Sequence, residues 1–210
     1  MTPVMTDITP TVRRGDAYKL LAACFYEPEK QVFLEENVCE NLAQLLNYFT
    51  PEGAKAAEDM LLALQKYDQQ QLSIDHAALF VGPFELIAAP YSSVWREQQR
   101  LVMGDCTMDV KRFYDETDLQ TDVSEPPDHI AIMLEFMSYL CQKEAEAVSC
   151  SALEDAKEYV DLQKRFFREV LSPWIADFCN AIVKGTENEF YTNLATALSR
   201  YIKSEYGNYA

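Results

Sequence analysis

The sequence predicts an all-α fold, a single-domain bundle of roughly nine or ten helices spanning residues 1–210. Three observations carry that expectation. Apolar residues recur at helical spacing along almost the whole chain. Glycine is scarce, with 6 in 210 residues, and β-branched runs are short, so the material for tight turns and strands is missing. Helix-start signals also punctuate the chain: Thr9-Pro10, Thr50-Pro51 and Ser172-Pro173 each place a capping hydroxyl before a proline suited to the first helical turn.

Taken in order, Val12, Ala17, Leu20, Leu21, Cys24 and Phe25 form the apolar face of a first helix that Pro28 stops. Val38, Leu42, Leu45, Leu46 and Phe49 line a second. Thr50-Pro51 opens a third, with Ala57, Met60, Leu61 and Leu64 turned inward. Leu72, Ala78, Leu79 and Phe80 give a short helix ended by Gly82-Pro83. An apolar loop follows over 84–90, and helix resumes over 91–101 with Ser92 or Ser93 as its cap. Thr107 caps a segment holding Val110, Phe113 and Tyr114, and 117–124 is a polar, acidic loop. After Pro127 a long helix carries Ile130, Met133, Leu134, Met137, Leu140 and Cys141. Ser151-x-x-Glu154 and Thr186-x-x-Glu189 are capping boxes that open two further helices. Between them Ser172-Pro173 restarts a helix that Gly185 ends. The softest point of the single domain is a hinge at 117–128.

Charge narrows the partners. With 18 basic and 34 acidic residues the chain carries −16, which disfavours nucleic acid and anionic membrane surfaces. The same acidity either keeps the protein soluble or favours a cationic partner such as an Arg-bearing peptide. No segment reaches the ~18 apolar residues of a membrane span, so no stable membrane insertion is expected. Arg13-Arg14 imitates a twin-arginine export signal, but Asp16 and Lys19 interrupt the apolar run behind it, which reads as an amphipathic first helix. A cytoplasmic location follows, and the six cysteines, none in a C-x-x-C pair, are expected as buried thiols.

Signatures of covalent chemistry are missing. There is no phosphate-binding glycine loop and no G-x-S-x-G elbow. The two histidines, His76 and His129, lack the i, i+4 spacing of a helical metal site. No catalytic residue, no metal and no cofactor are assigned.

Two segments stand out. In Glu125-Pro126-Pro127-Asp128-His129, consecutive prolines fix a stiff corner before a helix, so Asp128 and His129 fall in or near its first turn. Asp128 either caps free backbone N–H groups there or presents its carboxylate to a partner. In 79–95, Gly82, Pro83 and Pro90 bracket Leu86, Ile87, Ala88 and Ala89, with Tyr91 and Trp95 following. This stretch is either core lining or the floor of a groove for an apolar peptide.

Glu125-Pro126-x-Asp128-His129 matches the E-P-x-D-H hinge motif of the TorD/DmsD/NarJ-like redox-enzyme maturation chaperones. Leu79-Phe80-x-Gly82-Pro83 with Ala89-Pro90-Tyr91-x-Ser93-Val94-Trp95 resembles that family's L-F-x-G-P … P-[WY]-x-S-V-[YW] segment, with Tyr91 where a tryptophan is common in the DmsD branch. Leu171-Ser172-Pro173-Trp174, Phe178 and Phe190-Tyr191-x-x-Leu194 resemble its C-terminal helices. The similarity spans most of 12–203. It implies a non-enzymatic cytoplasmic chaperone that binds the twin-arginine leader and catalytic subunit of a molybdenum-cofactor oxidoreductase and holds it for cofactor insertion before export. Some such proteins bind a guanine nucleotide or molybdopterin guanine dinucleotide, and this chain is expected as a monomer or a domain-swapped dimer. By position, Leu79, Phe80, Pro90, Tyr91 and Trp95 would line the leader groove, Asp128 and His129 would form its polar end, and Glu125, Pro126 and Pro127 would shape the hinge. The local excess of thirteen acids over two lysines across 115–161 would steer a basic leader or form a solvated face. The alternative is a helical scaffold or regulatory protein that takes another amphipathic peptide in the same groove.

Overall fold

The computed structural model describes residues 9–82, 86–97, 104–119 and 125–209. These residues form α1 (Thr9–Ala23), α2 (Lys30–Glu35), α3 (Val38–Leu46), α4 (Pro51–Lys66), α5 (Gln69–His76), α6 (Ser92–Arg96), α7 (Asp105–Asp115), α8 (Ile130–Ser149), α9 (Leu153–Phe166), α10 (Ser172–Gly185) and α11 (Glu189–Tyr209). One π turn, Ala77–Val81, extends α5, and another, Phe167–Leu171, joins α9 to α10 without a break. The result is ten continuous helical rods, in agreement with the all-α expectation. The one isolated β-bridge among the described residues pairs Tyr91 with His129.

The layers follow from where the apolar faces lie. α1 packs along α8, α4 along α11 and α3, α8 along α9, and α10 along α11. Gly15 permits the α1–α8 approach: a Cβ added there would lie 3.1 Å from Cys141 Cβ, tighter than packed side chains normally tolerate. Across the same layer, Arg14 Nη2 donates to Gln163 Oε1 at 2.6 Å and to Glu144 Oε2 at 3.2 Å, while its Nε lies 3.8 Å from Glu205 Oε2. Half of the export-signal lookalike is therefore an internal tie between α1, α8, α9 and α11. A largely buried ion network of this kind contributes register more than net stability.

Several starts and stops are as the sequence expects. Thr50 Oγ1 accepts Gly53 N–H at 3.3 Å with Pro51 in the first turn of α4. Gly82 ends the first π turn at φ 30°, a conformation that costs other residues their Cβ clearance. Its N–H donates to Ala77 O at 2.7 Å, closing the wide turn.

Other expectations need correction. α2 has no counterpart in the sequence reading, because six residues with only Phe33 buried carry too little periodicity. Ser151 adopts φ 60° and does not cap; α9 begins after Ala152. α11 is opened by Asn188, whose Oδ1 accepts Phe190 N–H at 3.0 Å, while Thr186 Oγ1 accepts Asn188 N–H one step upstream. α10 does begin at Ser172 with Pro173 in its first turn, but no break in the rod precedes it. Pro173 has no N–H for the Glu169 carbonyl, and the π turn just before it lets the rod continue past that defect. α7 begins at Asp105, two residues before the expected cap Thr107, and Glu97 Oε1 accepts Cys106 N–H there at 2.8 Å. Pro83, the 98–101 end of the expected 91–101 helix and the 120–124 part of the acidic loop lie outside the described residues. All six cysteines are free thiols, buried except for the intermediate Cys106 and the exposed Cys150.

Thr50→Ala should cost about 1 kcal/mol in urea unfolding, with Thr50→Ser retaining most of the stability. Equal midpoints for Thr50→Ala and wild type would show that Pro51 alone sets the start of α4.

Candidate functional site

The two signature segments meet. Ile130 N–H donates to Pro90 O at 2.8 Å and Ser92 N–H donates to Asp128 O at 3.1 Å, which makes Tyr91 and His129 partners in a one-rung antiparallel ladder. The corner before the ladder is fixed at both ends. His129 N–H donates to Pro126 O at 3.0 Å, and Tyr114 Oη donates to Pro127 O at 2.8 Å. The proline pair thus provides the stiff corner and spends its carbonyls on holding it.

Asp128 is fully buried. Its Oδ2 accepts Ser93 N–H at 2.9 Å and the Ser92 hydroxyl at 3.5 Å. The capping alternative therefore applies, but to α6, thirty-six residues away, and not to the helix that Asp128 precedes. The expected caps Ser92 and Ser93 are the capped groups. α8 is capped instead by His129, whose Nδ1 accepts Ala131 N–H at 3.2 Å. That bond needs an unprotonated Nδ1, so the imidazole is neutral with its proton on Nε2.

Two tyrosines enclose His129. Tyr26 stacks on it with centroids 6.1 Å apart, and Tyr91 meets it edge-on at 5.4 Å. Tyr91 Oη donates to Glu125 at 3.0 Å and Tyr26 Oη donates to Glu135 at 3.1 Å. Burial, reinforced by these carboxylates, pushes both phenols up to about 12. Burial also lowers His129 to about 4, outweighing the nearby Glu125 and Asp128, which act in the opposite direction. The exposed carboxylates of the patch are those of Glu125 and Glu135. Tyr26 escaped the sequence reading because it lies a hundred residues from its partners and belongs to no motif.

The remaining candidates divide. Leu79 and Phe80 are core residues; the Phe80 ring packs among Phe25, His76, Phe178 and Tyr191. Pro90 is also buried. Trp95 is half-buried, its Nε1 donating to Ala89 O at 2.7 Å and its ring edge against Phe178. In this structure the segments 79–95 and 128–129 are thus joined by hydrogen bonds, with Leu79, Phe80, Pro90 and Asp128 out of a ligand's reach. Space opens on the other side of Trp95. A groove of about 540 Å³ runs between α6 and α10, with Val94, Trp95 and Glu97 facing Asp177, Asn180, Ala181 and Lys184.

Residues 34–180 match the profile of the family described as nitrate reductase delta subunit. The chain belongs to that family. Among curated relatives, the chaperone protein TorD of Shewanella pealeana is 24% identical over 207 residues, covering 91% of this chain and 87% of its own length. TorD of Aliivibrio fischeri is 28% identical, over 73% of this chain and 74% of that one. The Tat proofreading chaperone DmsD of Haemophilus influenzae is 25% identical over 67% of this chain and 63% of its own length. Among solved structures, a redox enzyme maturation protein from Archaeoglobus fulgidus superposes with a TM-score of 0.56 at 20% identity, over 89% of this chain and 92% of that one; the likeness shows a shared fold. No helix among the described residues is long and apolar enough to cross a membrane.

His129 supplies a pH test. Its folded value lies below the ordinary 6.5, so its contribution is complete above pH 6.5 and is lost as pH falls toward 4. Going from pH 7 to pH 5 should cost the wild-type chain about 2 kcal/mol through this residue. Urea unfolding of His129→Gln should show that much less acid sensitivity. Identical pH profiles would show that the ring titrates normally in the fold.

Proposed function

We propose that this protein is a cytoplasmic, non-enzymatic maturation chaperone that binds the twin-arginine leader of a molybdenum-cofactor oxidoreductase before export. The observation that carries the proposal is the conjunction of family and site. The chain is related over nearly its whole length to TorD chaperones, and the two segments that carry the resemblance form one hydrogen-bonded unit around Tyr91, Asp128 and His129. A leader of this type joins two guanidinium groups to a short apolar run. The signature unit offers exposed carboxylates, Glu125 and Glu135, beside tyrosine faces, and the helix α6 that it caps carries the half-buried Trp95. Carboxylates suit the guanidinium groups of such a peptide, and aromatic faces suit its apolar run.

Within this proposal Glu125, Pro126 and Pro127 act as a hinge corner, and opening it would bring the buried Asp128 within reach of a ligand. The reading as a general helical scaffold differs in one testable respect. Guanidinium pairs with carboxylate through two parallel bonds, whereas an ammonium acts as a point charge. In calorimetry, a leader peptide with its Arg-Arg pair should bind about tenfold more tightly than its Lys-Lys version. Equal affinities would favour the scaffold and remove arginine recognition from the account.

A further inference from the structure

Resting on the leader-binding proposal above, we propose that the guanidinium end of the leader docks in the groove between α6 and α10, where Asp177 and Glu97 receive it beside Trp95. Four of the residues that the sequence resemblance places in the binding site are buried: Leu79, Phe80 and Pro90 by core packing, Asp128 by its bonds to α6. A peptide that meets this segment as it stands does so through its partly exposed residues, and on the groove side these are Trp95 and Glu97. The facing wall comes from α10, where residues 177, 180, 181 and 184 recur at helical spacing on one side.

The groove has a floor and a direction. Val94, Trp95 and Ala181 supply apolar surface, and Asn180 offers both a donor and an acceptor for extended backbone. Trp95 is a preformed wall, because its indole N–H is held by Ala89 O and its ring by Phe178. Glu97 is likewise held in place, with Oε1 on Cys106 N–H. Little side-chain freedom is therefore lost on docking. Asp177 is exposed on the opposite wall, available for the paired hydrogen bonds of a guanidinium. Lys184 lies seven residues along α10, about 10 Å away at 1.5 Å per residue. A cation is favoured at the Asp177 end and opposed at the Lys184 end, so the groove accepts one orientation of a peptide with an arginine near one terminus.

The test uses the full chain and a fluorescein-labelled twin-arginine leader peptide, followed by anisotropy. Asp177→Lys reverses an exposed charge in the groove. Glu58→Lys makes the same change in net charge on α4, which packs against α3 and α11. Asp177→Lys should weaken binding about tenfold and Glu58→Lys by less than about twofold, because a paired carboxylate acts at contact distance while a remote charge is screened. Equal losses in the two variants, or no loss in Asp177→Lys, would overturn the groove assignment while leaving leader binding intact. Absence of saturable binding to the wild-type chain would instead remove the leader proposal itself.

Discussion

One buried carboxylate holds the site together. Asp128 is removed from water entirely, and a polar group in that position is tolerated best when hydrogen-bonded, as its Oδ2 is. The start of α6 supplies the bonds: Ser93 N–H and the Ser92 hydroxyl go to the side chain, and Ser92 N–H goes to the main-chain carbonyl of the same residue. α6 has five residues, too few to be stable as an isolated helix. It exists because Asp128 caps it and because Trp95 is packed on Phe178. A substitution that removed the carboxylate would leave the Ser93 N–H and the Ser92 hydroxyl without this partner and loosen Trp95 from its place beside α10.

The same constraint decides what the neighbouring groups can do. With Asp128 committed to α6, His129 takes over the capping of α8, which fixes its tautomer and keeps it neutral. A ring clamped between Tyr26 and Tyr91, titrating far below neutrality, is poorly placed to exchange protons at pH 7. The phenols titrate far above neutrality. What remains chemically active at the surface is charge and shape: carboxylates of Glu125, Glu135 and Asp177, and the faces of Tyr26, Tyr91 and Trp95. That inventory suits recognition of a peptide.

Local signals in the sequence were the informative ones. Helical periodicity gave the all-α architecture, Thr50-Pro51 gave a true cap, and Gly82 marked a true stop. The failures have a common cause, which is that the deciding partner lies far along the chain. Nothing near Asp128 shows that its carboxylate belongs to α6, and nothing near Tyr26 or Asp177 marks them among 12 tyrosines and 34 acids. Ser151 and Thr186 carry sound capping-box patterns, yet Ser151 turns into the left-handed region and Asn188, which also reaches Asp75, displaces Thr186. The family motifs pick out two distant segments that the structure joins by hydrogen bonds, a pairing that local chemistry could not show.

The central claim is that Asp128 and the Tyr91–His129 rung lock α6 against the start of α8. Amide hydrogen exchange resolved by residue tests it most directly, because the Ser92, Ser93 and Ile130 N–H groups each make one of the locking bonds. The account predicts slow exchange at all three in the wild-type chain and much faster exchange at all three in Asp128→Ala, with the amides of α4 and α11 unchanged. Rapid exchange at these positions in the wild-type chain, at the rate of open loops, would contradict it.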